Sequence, residues 1–239
     1  ILLSPEPGRV AEAPKTMGEA IGAPLAEFFT RSHAVGFLAV IVLYKLGDAF
    51  ASSLQTAFLI GGVGFTAAEV GYVKGVGILA TLLGALFGGL MMARMGLVQS
   101  LLLFGLFQAV SNLGFVLLAW AGKSAALLAA VVMVENITGG MGTAAFVALV
   151  MSLCDPRYTA TQFALLSSLE ALGRVFAGRP SADVVAAVGW SRFFLLTFVV
   201  ALPGLWAVWR VRERIALAPA GHTVPAVSSA VPVQPAGTR

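Results

Sequence analysis

Six apolar runs follow one another along the chain, at about residues 33–60, 69–92, 97–120, 125–153, 160–178 and 190–211. A helix of about 20 apolar residues reaches across the roughly 30 Å hydrocarbon core of a bilayer. The pattern therefore predicts an all-α polytopic membrane protein with six transmembrane helices. Short glycine-rich or polar turns separate the runs: GGVGFTAA after the first, Arg94 and Gly96 after the second, AGKS after the third and CDPRYTA after the fourth. In CDPRYTA, Pro156 stops one helix and Thr159 or Thr161 is placed to cap the next. Pro203 and Gly204 predict a kink in the sixth run. Residues 1–32 carry Pro5, Pro7, Pro14 and Pro24 and read as a linker without a continuous helix, apart from a short amphipathic piece at 24–31. Residues 212–239 are rich in Ala, Pro and Val, and read as a disordered tail.

Polar residues inside these runs carry the candidate chemistry. The first run contains LAVIVLYKLGDAFASSLQTAFLI, with Lys45 and Asp48 at its middle. Each such charge at the centre of a spanning helix costs about 2.5–3.5 kcal/mol. Lys45, Asp48, Ser52 and Gln55 fall at intervals of three, four and three, so they form one stripe. That stripe is either a cavity face, on which Asp48 exchanges a proton while Lys45 holds it ionised or binds an anionic group, or a buried ion pair that fixes helix register. Glu135 beside Asn136 has the same two readings, as a proton carrier with a hydrogen-bonding neighbour or as an interhelical tie. Gln108, Ser111 and Asn112 share a face of the third run, and His33 stands at a span boundary. Glu170 and Arg174 stand four apart in the favourable order, and the Arg174 fork suits a carboxylate. Gly77, Gly84 and Gly88, with Thr81, form a small-residue stripe for close helix packing. The cluster Gly139, Gly140 and Gly142 suits a site beside a cavity.

Composition agrees with this reading. Of 239 residues, 59% are hydrophobic and 11% charged, against about 25% charged in a typical soluble domain. The net charge of +4 is accounted for by short basic loops, which excludes nucleic acid as the natural partner. Arg31, Arg94, Arg157, Arg210, Arg212 and Arg214 lie on the side of both termini. Lys123, Arg179 and Arg192 lie opposite, with Lys74 near that boundary, so both termini are expected in the cytoplasm. Cys154 is the only cysteine, which leaves no internal disulfide and no cysteine-based metal site. With no His/Cys cluster, no GxSxG and no phosphate loop, neither an enzyme nor a cofactor nor a metal is expected. The chain begins at Ile1, without the order of a signal peptide, and looks like a fragment.

YKLGDAF in the first run, GVGFTAAEVG and GGLMMARMG around the second, SNLGF in the third, ENITGGMGTAAFVALVMSLC in the fourth and TATQFALLSSLEALGRV in the fifth resemble the AmpG muropeptide permeases of the major facilitator superfamily. The likeness covers about residues 33–209 in unbroken order. It implies a transporter of twelve helices in two bundles, with this chain as the second bundle, equivalent to one half of a major facilitator transporter and preceded by the central cytoplasmic linker. GGLMMARMG resembles the superfamily's loop motif, with Gly88, Arg94 and Gly96 matching and Ala93 where an acidic residue is usual. The implied activity is proton-driven import of anhydro-muropeptides across the bacterial inner membrane, for peptidoglycan recycling and β-lactamase induction. Asp48 and Glu135 are then the proton-coupling candidates. Lys45, Ser52, Gln55, Gln108, Asn112, Asn136, Gln162 and Arg174 are the substrate-cavity candidates. The implied partners are protons, muropeptide, the bilayer and an N-terminal six-helix half. The alternatives are an acetyl-coenzyme-A-like solute carrier and a non-transporting membrane scaffold or truncated half-protein.

Overall fold

A computed structural model describes residues 16–217, without the side chains of residues 17, 19, 20, 174, 177–179 and 217. All regular structure among the described residues is helical. Helix α1 covers Met17–Thr30, α2 Ala34–Tyr44, α3 Leu46–Ala57, α4 Ala67–Met95, α5 Leu97–Ser111, α6 Leu113–Ala121, α7 Ala125–Ser152, α8 Thr159–Val188 and α9 Trp190–Leu217. A π-helical turn, Phe58–Gly62, closes α3. The chain is thus an all-α polytopic membrane protein with six long helical segments, of which α2 with α3 and α5 with α6 are interrupted.

Five of the six segments are long and apolar enough to cross a membrane: Ala34–Gly62, Ala67–Met95, Leu97–Ala121, Ala125–Ser152 and Trp190–Ala216. The fifth in order, α8, is not among them, because Glu170, Arg174, Arg179 and Asp183 lower the hydropathy of its sequence. It also runs ten residues past the expected end at 178, with Pro180 inside the helix.

Two further boundaries differ from the sequence reading. The expected linker contains a regular helix, α1, with Pro24 within it. Proline removes one backbone donor there, and tertiary contacts hold the segment: Gln162 Nε2 donates to Pro24 O at 3.0 Å and to Glu27 Oε2 at 2.6 Å. Arg31 forks onto Glu27 at 2.9 and 2.7 Å and also donates to Leu153 O. At the other end, 212–217 belong to α9 rather than to the tail. Residues 1–15 and 218–239, which hold the rest of the linker and tail, lie outside the described residues.

Local chemistry explains the helix ends. Thr66 and Glu69 form a reciprocal capping box at the start of α4, with Thr66 N donating to Glu69 Oε2 at 2.7 Å and Glu69 N to Thr66 Oγ1 at 3.2 Å. Lys123 Nζ, in the turn before α7, reaches the same carboxylate at 3.1 Å. The α7–α8 turn is closed by Asp155, which accepts from the Arg157 backbone at 2.8 Å and from its guanidinium. That guanidinium holds the Asp155 carboxyl below the ordinary aspartate range. The expected threonine cap is absent: α8 is preceded by Tyr158 without a side-chain cap, and Thr159 bonds back to Asp155 O at 3.0 Å.

The glycine stripe of α4 packs on α7. A Cβ at Gly84 would run into the Ile137 carbonyl, one at Gly140 into the Thr81 carbonyl, and one at Gly88 into the Met141 backbone. These helices therefore approach at backbone distance, as small-residue stripes allow. On the other side, Gly47 abuts Ala201 and Gly204 abuts the Leu43 carbonyl, which seats α9 against α2 and α3.

The interior divides into two apolar clusters. One gathers Tyr44, Leu101, Phe104, Phe146, Leu149 and Val208 among others, and the other gathers Phe58, Phe115, Leu128, Val132, Phe193 and Phe194. On the first, third and fourth spans the stretch between the two clusters is polar: Lys45 to Gln55, Gln108 to Asn112, and Glu135 to Thr143.

Candidate functional site

The first span breaks at its lysine. Lys45 ends α2 and begins α3, with φ −96° and ψ −1°, and its N–H turns to Leu43 O. The side chain is 8% exposed. Its Nζ donates to Thr143 Oγ1 of α7 at 3.1 Å and stands 3.9 Å from Asp48 Oδ2. These three groups, with Ser167 and Glu170 of α8 and an apolar wall that includes Phe146 and Phe163, line a cavity of about 210 Å³. Lys45, Asp48 and Glu170 thus line one cavity made by three helical segments. An anionic group drawn to this ammonium would compete with Asp48, and the neutral hydroxyls can take polar groups alongside.

A second cluster is built on Glu135. Its Oε2 accepts from Gln55 Nε2 of α3 at 3.3 Å and from Asn136 Nδ2 at 3.2 Å. Asn136 Nδ2 also donates to Val132 O at 2.8 Å, and Asn136 Oδ1 accepts from Thr81 Oγ1 of α4 at 2.7 Å. Gly77 is required beside it, since a Cβ there would lie 2.9 Å from Asn136 Nδ2. Among the described residues Glu135 is therefore held by amides and by no cation within ion-pair distance, while Asp48, Lys74 and Lys45 act on it electrostatically from further away. A carboxylate so placed can gain a proton without breaking an ion pair.

The sequence stripe of four is split between these clusters. Lys45 and Asp48 face the cavity, Gln55 turns to Glu135, and Ser52 is exposed and bonds its own helix at Ala49 O, 3.3 Å away. Gln162 is not on the cavity wall: it ties α1 to the start of α8 and accepts from Asp155 N at 2.6 Å. Arg174 lies within α8, but its side chain is outside the described residues. Gln108 is buried against Gly142, whose Cβ would lie 2.6 Å from Gln108 Oε1, while Gly139 has more room, 3.8 Å from Gln108 Nε2. Asn112 is 1% exposed and breaks the third span between α5 and α6. Ser111 beside it donates to Gln108 O at 2.8 Å and accepts from Thr138 Oγ1 at 3.0 Å. Gly96 takes φ 82° between α4 and α5, a conformation open to glycine, and Arg94 is exposed in the turn before it.

Sequence reasoning missed Thr143 and Ser167 as cavity groups and Thr81 as the partner of Asn136. A threonine or serine in an apolar helix gives little signal, because it can bond its own preceding turn, as Ser167 does to Phe163 O at 2.6 Å. Thr143, one residue past the glycine cluster and on a level with Lys45, was the most findable of the three.

Residues 1–178 match the sequence family described as the Major Facilitator Superfamily. An anhydromuropeptide permease of Escherichia coli K12 is 53% identical over 205 residues, which cover 85% of this chain and 42% of that protein. An uncharacterized protein of Haemophilus influenzae is 41% identical over 204 residues, 81% of this chain and 48% of that protein. A Rickettsia conorii protein named as transporter AmpG 4 is 34% identical over 197 residues, 80% of this chain and 46% of that protein. The chain spans a little under half the length of these curated relatives. With its interrupted apolar spans and polar middle layer, the chain belongs to the Major Facilitator Superfamily, among its AmpG-type members.

Proposed function

We propose that this chain is the C-terminal six-helix half of a proton-coupled permease that imports anhydro-muropeptides across the bacterial inner membrane, with both termini in the cytoplasm. The uptake would feed peptidoglycan recycling and β-lactamase induction. The observation that carries the reading is the cavity at the break of the first span, where buried Lys45 is bonded to Thr143 and paired with Asp48. A disaccharide-peptide offers carboxylates for an ammonium and many hydroxyls and amides for Thr143 and Ser167. The name of the Escherichia coli relative supports this substrate class. In transporters built from repeated bundles, the bundles rock around a site near the bilayer midplane, often at broken helices. A second bundle facing α8 would close the cavity and account for the charges on that helix.

In the proposed cycle, Asp48 competes with substrate for Lys45, so protonation of Asp48 frees the ammonium for an anionic group. Glu135, held by the Gln55 and Asn136 amides, supplies a second proton site one cluster away. The test is uptake of labelled anhydro-muropeptide by cells expressing the whole protein with Asp48→Asn, Glu135→Gln or both. Each single change is expected to lower pH-dependent uptake at least about tenfold, a barrier change of about 1.4 kcal/mol. Normal pH-dependent uptake by the double variant would remove both carboxylates from the coupling mechanism.

A further inference from the structure

A lysine near the end of a spanning helix ordinarily carries its ammonium outward to water. Lys123, in the turn before α7, does so: it is exposed and paired with Glu69 at 3.1 Å. Lys74 of α4 does the opposite. It is half-buried, and its Nζ donates to Thr56 Oγ1 of α3 at 2.7 Å. Lys74 stands seven residues past the start of α4 at Ala67, and Thr56 six residues before the first span ends at Gly62. The bond therefore lies about 10 Å inside the ends of both helices.

The setting of Lys74 repeats that of Lys45. Each ammonium donates to a threonine on another span, Thr143 for Lys45 and Thr56 for Lys74. Each has a carboxylate nearby that it does not hydrogen-bond: Asp48 stands 3.9 Å from Lys45, and Glu135 acts on Lys74 from beyond ion-pair distance. Lys45 and Thr56 are eleven residues apart, close to three full turns, so they fall nearly on one line of the first span, about 16 Å apart along its axis. Ser52 lies between them on that line. The exposed residues of α3 are Ser52, Ser53, Thr56 and Ala57, with no large apolar side chain among them. In contrast, α4 exposes Ile78, Leu79, Leu82 and Leu83. A helix surface that meets acyl chains is apolar, as on α4, whereas the uncovered line of α3 suits water and polar groups.

We propose that Lys74 is a second anion-binding point of the substrate path, so that the path selects a solute carrying two carboxylates, one for Lys45 and one for Lys74. The inference rests on the transport reading above and states what its cargo must carry. An ammonium has three donors, and each of these uses one on its threonine, which leaves two for a carboxylate. An extended peptide covers at most about 3.5 Å per residue, so about five residues, or fewer with a sugar attached, reach across a separation of this order. The hydroxyls of Ser52 and Thr56 line the way between the two ammoniums. An incoming carboxylate competes with Asp48 at one end and with Glu135 at the other.

The test is uptake by cells expressing the whole protein, with the amount of each variant in the membrane measured alongside. The probes are a labelled anhydro-muropeptide with all carboxyls free and a series in which one carboxyl at a time is amidated. For the wild type, two of these amidations are each expected to raise the half-saturating concentration about tenfold, as loss of a charge-assisted hydrogen bond does. Lys74→Met and Lys74→Gln are expected to raise that of the free compound about tenfold, and one of the two amidations should then cost them nothing further. Lys74→Arg restores the charge and is expected to recover the dependence on that carboxyl. Glutamine keeps a donor for Thr56 without the charge, so wild-type uptake of every compound by Lys74→Gln would reduce Lys74 to a tie between α3 and α4 and overturn the proposal. An equal loss on every amidation in the variants and the wild type would overturn it as well. Absence of muropeptide uptake by the wild type would sink the transport reading and this inference with it, whereas wild-type uptake with no carboxyl linked to Lys74 sinks this inference alone.

Discussion

Lys45 owes its position to three neighbours of different kinds: a hydroxyl at 3.1 Å, a carboxylate at 3.9 Å and a cavity wall that brings Glu170. Removing one partner of a buried pair is more damaging than removing both, because the remaining charge stays desolvated. Lys45→Met is therefore expected to destabilise the protein by about 1–3 kcal/mol, less than a fully buried pair would cost, since Asp48 is 28% exposed. The double change Lys45→Met with Asp48→Leu should recover most of that loss in thermal melts and recover none of the uptake. A double variant that regains uptake would reduce the pair to a register-fixing device. At this scale the sequence was informative wherever a charge interrupted an apolar run. It could not say that Gln55 belongs to Glu135 rather than to Lys45, because helical spacing alone puts all four residues on one stripe, and only the packing of α7 separates them.

The elements are held together by glycine as much as by apolar burial. On α4, Gly84 faces the Ile137 carbonyl, whereas Gly89, five residues on, has nothing within 4 Å of its would-be Cβ. The two positions should behave oppositely. Gly84→Ala forces two helix backbones apart and is expected to cost about 1–3 kcal/mol. Gly89→Ala is expected to be neutral or to stabilise by up to about 1 kcal/mol through helix propensity. Melting and monodispersity in detergent would compare them, and equal behaviour would mean that the α4–α7 approach is looser than described. The three- and four-residue spacing of Gly77, Thr81, Gly84 and Gly88 was legible in the sequence. The helix they pack against was not, since a small-residue stripe specifies close approach without naming a partner. The same limit applies to α1: four prolines predict interruption, but the anchors, Gln162 and the Leu153 carbonyl that takes Arg31, lie more than a hundred residues away.

For the whole molecule, the distribution of arginine supports the proposal that both ends of the bundle face the cytoplasm, a positive-inside arrangement. Single cysteines at two exposed positions, one in the turn after α1 and one at the end of α6, test it, because native Cys154 is buried. Ser32→Cys should react with an impermeant thiol reagent only from the cytoplasmic side and Ala121→Cys only from the opposite side; the reverse labelling would invert the topology. What the sequence by itself determined is the class of molecule and its cast of polar residues: the length of an apolar run is set by bilayer thickness, and a charge within it is costly enough to stand out. What only the tertiary structure decided is the arrangement of that cast. Lys45, Gln108, Asn112 and Glu135 lie on three spans far apart in sequence, and they become one middle layer because two apolar clusters close above and below them. Hydrogen-bond partners across helices depend on rotation and axial shift of about an ångström, which no periodicity encodes. For that reason the bond from Lys74 to Thr56 could be recognised only once α3 and α4 were in place.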